Sequence, residues 1–382
     1  MLSAQAEVVL TAVEMAQAGR FAEIRDLFVP TLQPMLTAET LAAGWASELG
    51  RRGRVMSVGA PVAEPTGTGV VVVKVPVSCE HGGFAVIAPV TEEGHLAGLQ
   101  LAPLDAALPT APWEPPGYAD PARFEESEMS LESGSRAVVG TLSLPRGATG
   151  VPAVVLLAGS GPLDRDETVG RNKPFKDIAW GLASRGIAVL RFDKVSFAHA
   201  AEVREAGEFT LSDEYLPQAL AAIEQLRSHR SVDPARIFLL GHSLGGTVAP
   251  RVAAAEPSVA GLILLAGGAE PMHRAMVRQV RYLASLSPES EAASAPVIEA
   301  LSEKARLVDS PALSASTPAG LLPFGAPGSY WLDVRDYDPV ALAQTLGKPI
   351  LILQGGRDYQ VTVADDLARW EAGMTGRDRM TI

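Results

Sequence analysis

The sequence predicts a two-domain α/β protein, in which a small α+β domain precedes a mostly parallel, doubly wound sheet with a helical cap insertion. Three observations support this prediction. The length of 382 residues is too great for one small domain and suits two. From Phe124 onward, strand patterns alternate with helical patterns, which is typical of a parallel sheet. Within that region, residues 237–240 read as a buried strand that runs through the glycine-rich turn 241–245 into a helix.

The composition argues against several classes of function. The chain is 47% hydrophobic and 20% charged, as an ordinary soluble globular protein is, and its net charge of −12 argues against a nucleic-acid partner. No apolar run could cross a bilayer and residues 1–20 lack the features of a signal peptide, so we expect no membrane partner. A single cysteine, Cys79, excludes an internal disulfide and suits a cytoplasmic location. Because no cluster has metal-ligand spacing, we expect neither a metal nor another cofactor.

Residues 1–102 are predicted to form the smaller α+β domain. The predicted helices span residues 3–18, 21–29 and 37–49, and the predicted strands span residues 53–63, 69–79, 83–90 and 96–101. Helices followed by an antiparallel meander indicate an α+β unit. The pattern resembles the small NTF2-like modules found ahead of some hydrolase domains. This resemblance implies a packing, lid or dimerisation element, with a homodimer as one option, rather than a second enzyme.

Residues 103–122 carry six prolines, which stiffen a chain and exclude helix, so this stretch is the predicted interdomain linker. Residues 123–382 form the larger domain. Its predicted strands span residues 124–131, 137–144, 153–158, 187–192, 237–240, 262–266 and 349–354, and its predicted helices span residues 177–185, 212–227 and 363–372. A long insertion at about residues 268–330, with two helical patterns, suits a cap over an active site. Residues 379–382 look like the start of one more strand, so we expect a truncated C-terminal end.

The turn at residues 241–245 has the form G-x-S-x-G, a nucleophile elbow with Ser243 at its apex. Glycine is needed two residues before and two after the serine, because a Cβ there would collide as strand and helix approach. The alternative is an ordinary glycine-rich turn with a solvated serine. The strand before the turn and the helix after it favour the elbow.

A serine hydroxyl becomes a good nucleophile only with a base that takes its proton and with donors that receive the oxyanion. We expect the oxyanion donors to be the backbone N–H groups of Leu244, at the start of the elbow helix, and of Ser160. Ser160 lies between Gly159 and Gly161, whose small size lets the backbone approach a substrate. The alternative for this second loop is a plain turn at the end of a strand.

Asp358 is the candidate acid, because it follows a late buried strand and a glycine turn; Glu270 is a weaker alternative. The expected chain order is Ser, Asp, His, yet all six histidines precede Asp358. We therefore expect the base beyond Ile382, with His199 and His273 as lesser alternatives.

The six stretches 159–166, 172–175, 181–194, 241–246, 330–333 and 354–358 occur in the order found in serine esterases of the α/β-hydrolase superfamily. From about Phe124 to its end, the chain resembles the EstD or dienelactone-hydrolase-like kind. The resemblance implies the α/β-hydrolase fold, Ser243 as nucleophile, Asp358 as acid and a hole from Leu244 and the Ser160 region. It departs from the family at residue 158, where Ala158 replaces a frequent histidine.

The leading hypothesis is a carboxylic-ester hydrolase that acts on a small-molecule ester through an acyl-enzyme on Ser243. The same machinery could cleave a thioester, lactone or amide, or transfer the acyl group, and a catalytically silent binding module is the alternative from another class. We assign Gly159, Gly161 and His242 to the substrate site; the His242 side chain is expected to point away from the position of a base.

Three further residues have two readings each. Asp164 could contact a polar substrate or take part in ion pairs that brace the oxyanion loop, and we favour bracing. Tyr330 and Trp331 could wall the acyl pocket or be ordinary core aromatics.

Overall fold

The computed structural model describes residues 4–30, 32–33, 36–66, 69–108, 112–132, 136–374 and 379–382. The chain divides into two compact units, Met1–Pro112 and Trp113–Ile382. The division falls inside the proline-rich stretch 103–122. Each unit has its own hydrophobic core.

The N-terminal unit packs three helices on an antiparallel sheet. The helices are α1 (Ala4–Gln17), α2 (Phe21–Asp26) and α3 (Ala38–Arg52), and the strands are β1 (Val55–Val58), β2 (Val62–Pro65), β3 (Val70–Cys79), β4 (Gly82–Thr91) and β5 (Gln100–Pro103). β3 pairs with β1, β2 and β4, and β5 pairs with the far edge of β4. Trp45 of α3 packs edge-on against Phe84 of β4, with ring centroids 5.2 Å apart. The helices-then-meander arrangement is as predicted, whereas the NTF2-like character stays a prediction.

The predicted strand 53–63 is two strands in the structure, because the chain breaks between β1 and β2. Pro61 has no N–H to donate to a ladder. A Cβ at Gly59 would lie 2.7 Å from the Pro76 ring, so the backbone approaches β3 too closely there for any other residue. The predicted strand 96–101 also begins later than expected, since Leu96 forms only isolated bridges, to Phe28 and Val90.

The C-terminal unit is built on an eight-stranded sheet. Its strands are β6 (Phe124–Leu131), β7 (Val138–Pro145), β8 (Val151–Leu157), β9 (Ala188–Phe192), β10 (Val232–His242), β11 (Gly261–Leu265), β12 (Ile350–Leu353) and β13 (Met380–Thr381). They lie in the order β13-β12-β11-β10-β8-β9-β7-β6. β7 is antiparallel to both of its neighbours, and the other pairs are parallel. This is the mostly parallel, doubly wound sheet that the sequence predicts.

Helices cover both faces of this sheet. They are α4 (Pro174–Ala183), α5 (Val195–Ala198), α6 (Ala200–Glu205), α7 (Leu211–Ser228), α8 (Leu244–Ala255), α9 (Met272–Ala284), α10 (Pro288–Asp309), α11 (Gly328–Arg335), α12 (Pro339–Leu346) and α13 (Ala368–Met374). Alternate residues of β8 enter different clusters: Val155 packs with α7 and α8, and Val154 packs with α4. In the part of the chain that the structure describes, no helix combines the length and apolarity needed to cross a membrane.

Helices α9 to α11 lie in the insertion between β11 and β12, where the sequence predicts a cap. α9 and α10 pack against each other through a small cluster formed by Met276, Val277 and Ala305. Trp331 of α11 joins the main core instead. The insertion is therefore attached to the sheet domain by buried side chains as well as by the chain itself.

Candidate active site

Ser243 occupies a strained position between β10 and α8. Its backbone has φ 50° and ψ −118°, a conformation that residues other than glycine rarely adopt. A Cβ at Gly241 would lie 2.3 Å from the Gly245 carbonyl oxygen, and a Cβ at Gly245 would lie 2.0 Å from the Leu157 carbonyl oxygen. The steric reason expected for the two glycines is therefore confirmed, and it lets the turn lift Ser243 above the sheet.

Ser160, Ser243 and Leu244 line the same cavity. Leu244 begins α8, so its N–H is one of the first four in the helix and has no intrahelical partner. Among the described residues, neither the Leu244 N–H nor the Ser160 N–H donates a hydrogen bond to protein. Two backbone donors are thus available beside the Ser243 hydroxyl.

The Gly159 N–H, in contrast, is already used. It donates to Oε1 of Glu167 at 2.6 Å. The Gly159 carbonyl accepts from Lys194 Nζ at 2.8 Å and from the Tyr215 hydroxyl at 2.9 Å. Burial lowers the pKa of Lys194, against the raising influence of Glu214, whose carboxylate lies 3.0 Å away. Burial also raises the pKa of the Tyr215 phenol, so that this hydroxyl stays protonated and can donate.

A second cavity adjoins the first. Both are lined by Ser160, Leu244, Met272 and Phe324. The remaining walls are largely apolar, formed in the first cavity by Leu211, Met276, Val334 and Val361 and in the second by Val203, Phe209, Pro327 and Tyr330. The two free N–H groups therefore lie where two mostly apolar spaces meet.

Asp358 follows β12 in the loop that leads to the π-helical turn Val363–Leu367. Its Oδ1 accepts from the backbone N–H groups of Gln360, at 2.8 Å, and Val361, at 3.1 Å. No described residue donates to Oδ2. This turn fixes the direction of the carboxylate and leaves one oxygen available to a partner.

Known proteins are similar in sequence to most of this chain. The family model described as serine aminopeptidase S33 matches residues 168–372. Esterase EstD of Thermotoga maritima is 36% identical over 305 residues, which cover 79% of this chain and 68% of EstD. The chain belongs to the serine aminopeptidase S33 family of α/β-hydrolases.

Solved structures are similar to this S33-family chain at lower identity. Est1E from Butyrivibrio proteoclasticus is 19% identical with a TM-score of 0.42, covering 63% of this chain and 83% of Est1E. An esterase from Pyrococcus furiosus is 16% identical with a TM-score of 0.44, covering 70% of this chain and 86% of that esterase.

Glu270, the weaker candidate acid in this S33-family chain, lines the Ser243 cavity, but its carboxylate is already paired. Its Oε2 accepts from Arg278 Nε of α9 at 2.8 Å. Arg278 also donates to the backbone carbonyls of Tyr359 and Gln360, at 3.1 and 3.0 Å. The same guanidinium reaches Asp366 at 3.3 Å. Glu270 therefore takes part in a bridge between the cap helix and the Asp358 loop.

The histidines of the C-terminal unit have partners other than Ser243. His199 contacts Glu202 and the Ala137 carbonyl, whereas His273 is buried against Asp309 in the cap. His229 accepts from the Ser231 N–H beside the end of α7. Within the described residues, none of these side chains is hydrogen-bonded to the Ser243 hydroxyl, so the expectation that the base lies beyond Ile382 stays a prediction.

His242 does not line either cavity, which differs from its expected place in the substrate site. Its Nδ1 lies 2.9 Å from the Glu167 carboxylate. That hydrogen bond raises the pKa of His242 against the effect of burial, with smaller contributions from the charges of Glu167 and Asp358. The side chain points away from Ser243 toward Glu167, and in the S33-family fold it joins the elbow to the neighbouring loop.

Asp164 and Trp331 also lie away from the cavity that holds Ser243. Asp164 accepts from the Thr168 hydroxyl at 2.6 Å and from the Thr168 N–H at 2.8 Å. It lines a separate polar cleft, which favours the bracing role. Trp331 is fully buried in the main core, so it cannot wall the acyl pocket as Tyr330 does for the second cavity. Gly161, by contrast, lies on the wall of the second cavity.

Sequence reasoning missed Glu167, Lys194, Tyr215 and Arg278. Lys194 had a usable signal, because a lysine two residues after the buried strand β9 is placed at the carboxyl edge of the sheet, where sites form. Glu167 gave no such signal. Its φ of 52° and its contacts become visible only in the folded chain.

Proposed function

We propose that this S33-family hydrolase cleaves carboxylic esters through an acyl-enzyme on Ser243. The observation that carries the proposal is the shared cavity of Ser243, the Ser160 N–H and the Leu244 N–H. EstD, the 36% identical relative, is named an esterase, which supports the same substrate class.

The proposed reaction has two halves. The Ser243 Oγ attacks the ester carbonyl carbon while a base takes its proton, and the carbonyl oxygen becomes an oxyanion that accepts from Ser160 and Leu244. Collapse of the tetrahedral intermediate expels the alcohol, which takes the proton back from the base. Water then attacks the acyl-enzyme by the same route, releasing the carboxylic acid and free Ser243.

Asp358 is proposed as the acid that orients the base. Its Oδ1 is fixed by the turn to Gln360 and Val361, and its Oδ2 is the oxygen directed to an imidazole N–H in this proposal. The charge of Asp358 is a minor contribution to the raised pKa of His242, the residue before Ser243. Glu270 is less suited because its carboxylate is paired with Arg278.

The base of the triad is not identified among the described residues, because no histidine side chain there is hydrogen-bonded to Ser243. In the order Ser, Asp, His, it would follow Asp358, and no histidine occupies residues 359–382. We propose that the general base, which takes the proton from Ser243, is an imidazole beside Asp358. Free imidazole in the assay should then raise Ser243-dependent turnover of p-nitrophenyl butyrate, after subtraction of the rate with Ser243→Ala. An equal imidazole effect on both proteins would contradict this part of the proposal.

The two cavities favour an ester with apolar groups on both sides of the carbonyl. A substrate carbonyl at the Ser160 and Leu244 donors would place one substituent in each space. A thioester, a lactone or an acyl acceptor other than water would use the same machinery. Rates on matched p-nitrophenyl esters and thioesters of equal acyl length separate these substrates.

A silent binding module is the alternative from another class. A fluorophosphonate probe distinguishes the two, because it reacts with an activated serine at phosphorus and loses fluoride. Labelling at Ser243, absent in Ser243→Ala, supports the hydrolase. An unlabelled Ser243 in the folded protein with imidazole supplied, or ester hydrolysis that survives Ser243→Ala, would sink the proposed mechanism.

The proposed mechanism assigns no catalytic residue to the N-terminal unit. Its proposed role stays that of a packing, lid or dimerisation element, and a homodimer is tested by the molar mass of the protein in solution.

A further inference from the structure

We propose that Lys194 and Tyr215 are positioning residues, which hold the Gly159 carbonyl so that the Ser160 N–H is aimed into the active-site cavity. Neither side chain needs to touch a substrate. The inference deepens the proposed function and rests on it, since it assigns Ser160 as an oxyanion donor.

The geometry of the Gly159–Ser160 peptide unit determines the direction of the Ser160 N–H. A trans peptide is planar, and its C=O and N–H point in opposite directions. The Gly159 carbonyl and the Ser160 N–H belong to one such unit. Because Lys194 Nζ and the Tyr215 hydroxyl bind this carbonyl from the buried side, at 2.8 and 2.9 Å, the Ser160 N–H is directed the other way. Ser160 lines the cavity that also holds Ser243.

The preceding peptide shows what the arrangement does to the rest of the loop. The Ala158 carbonyl lies 2.7 Å from the Tyr215 hydroxyl and shares its single hydrogen with the Gly159 carbonyl, and the Gly159 N–H donates to Glu167 at 2.6 Å. That unit is held at both ends by protein. The next unit is held at its carbonyl end only, so its N–H is left for a ligand.

Glycine makes such a support necessary. Gly159 and Gly161 flank Ser160, and Gly161 has φ 90°, so the loop has the backbone freedom to turn a peptide over. A flipped Gly159–Ser160 peptide would present a carbonyl oxygen to the developing oxyanion, which would repel it. Two hydrogen bonds to one carbonyl oppose that flip.

The charge of Lys194 adds to the effect. Lys194 is 1% exposed, and Glu214, which also accepts from the Ser196 hydroxyl at 2.6 Å, lies 3.0 Å from its Nζ. A buried ion pair is a costly way to fill a core, because both charges lose their hydration. A charge-assisted hydrogen bond to a carbonyl, however, polarises the whole peptide and makes its N–H a stronger donor. Packing alone does not explain why the Lys194–Glu214 pair lies next to this loop, whereas polarisation of the Gly159–Ser160 peptide does.

The test uses Tyr215→Phe and Lys194→Met in the full chain. Ser184→Ala is the matched control, because its buried hydroxyl also binds backbone: it accepts from the Asp120 N–H and lies within hydrogen-bond distance of the Trp180 and Asp120 carbonyls. Ser184 does not line either cavity. For each protein, with imidazole supplied at one fixed concentration, the rate of Ser243 labelling by a fluorophosphonate is measured, together with kcat and KM on p-nitrophenyl butyrate. Circular dichroism and Tm establish that each variant is folded.

We expect labelling and kcat to fall about tenfold to a hundredfold in both variants, less than the loss of a whole oxyanion donor. KM should change by less than about threefold, since the ground-state ester accepts only weak hydrogen bonds at the hole. The double variant should fall by less than the product of the two effects, because both act on one carbonyl. The control should stay within about twofold of the wild-type protein.

Two results would overturn the positioning role. One is that the wild-type protein is labelled at Ser243 and the folded variants are labelled at the same rate. The other is a fall in Tm with kcat unchanged, which indicates a purely structural brace. Failure of the wild-type protein itself to label at Ser243 would instead reject the proposed hydrolase mechanism, and the positioning role with it.

Discussion

The Glu167 carboxylate lies 2.9 Å from Nδ1 of His242, the residue that immediately precedes Ser243. The same carboxylate accepts from the Gly159 N–H at 2.6 Å. Glu167 is 3% exposed and has a φ of 52°. A strained, buried residue therefore ties the elbow to the loop that carries Ser160, and strain of this kind persists only where surrounding contacts enforce it.

The first prediction concerns the pH dependence of this pair. The hydrogen bond to Glu167 is the main cause of the raised pKa of His242. A raised folded-state pKa stabilises the fold fully below the unfolded-state value of about 6.5, and this contribution is lost as pH rises through the folded-state pKa. Glu167→Gln keeps an acceptor for the Gly159 N–H but removes the charge. We expect the Tm deficit of this variant to be largest near pH 6 and to shrink toward about pH 9.

His242→Gln is the control for that experiment, because it removes the group that titrates. The pH-dependent part of the deficit should be absent when the double variant is compared with His242→Gln. A deficit that stays constant over the whole pH range would show that the Glu167 charge does not act through His242.

The second prediction concerns the elbow glycine. In Gly245→Ala, the added Cβ would lie 2.0 Å from the Leu157 carbonyl oxygen, an obstacle made of backbone that cannot rotate away. We expect a loss of more than about 2 kcal/mol in the free energy of unfolding and loss of Ser243 labelling. Chemical denaturation and the fluorophosphonate probe measure the two effects.

Gly117→Ala is the matched control, since nothing lies within 4 Å of its added Cβ. This variant should retain the stability and labelling of the parent protein. Normal stability of Gly245→Ala would mean that the elbow relaxes, contrary to its packing against β8.

The elbow was predictable because its constraints are local. Gly241, Ser243 and Gly245 lie within five residues, and the steric reason for each glycine follows from a strand that turns directly into a helix. The mostly parallel sheet was predictable for the same reason, because the alternation of strand and helix patterns is visible over short stretches of sequence. Asp358 could be predicted as a candidate acid from its position after β12, and its role in catalysis stays a proposal.

The supports of the site were not predictable, because they join distant parts of the chain. Glu167 and His242 are 75 residues apart, and Lys194 reaches a carbonyl 35 residues before it. No periodicity or motif marks such pairs. Trp331 had two readings from the sequence, a pocket wall or a core aromatic, and its side chain lies in the core.

The third prediction concerns the bridge from the cap to the Asp358 loop. Arg278 donates to Glu270 and to the carbonyls of Tyr359 and Gln360. Arg278→Met removes these bonds and leaves the Glu270 charge without its cation. We expect faster amide hydrogen exchange over residues 358–362 and a fall of about tenfold in kcat/KM.

Arg281→Met tests whether the effect is specific to that position on α9. Among the described residues, Arg281 makes one side-chain hydrogen bond, of 3.4 Å, to the Ser302 hydroxyl of α10. Exchange over residues 358–362 should stay as in the wild-type protein. Equal effects of the two variants would indicate a general loss of cap stability instead of a direct bridge.

The last prediction separates the two candidate acids. Asp358 has a carboxylate oxygen that no described residue occupies, whereas Glu270 is paired with Arg278 at 2.8 Å. Asp358→Asn keeps the acceptor for the Gln360 and Val361 N–H groups but removes the charge that would stabilise an imidazolium. With imidazole supplied or with the native base present, we expect Asp358→Asn to lower kcat more than about a hundredfold. Glu270→Gln should lower kcat less than about tenfold, through the loosened bridge alone. If Glu270→Gln proves the more damaging change while both variants remain folded, the acid is Glu270, and the loop after β11 takes the place that we assign to the loop after β12.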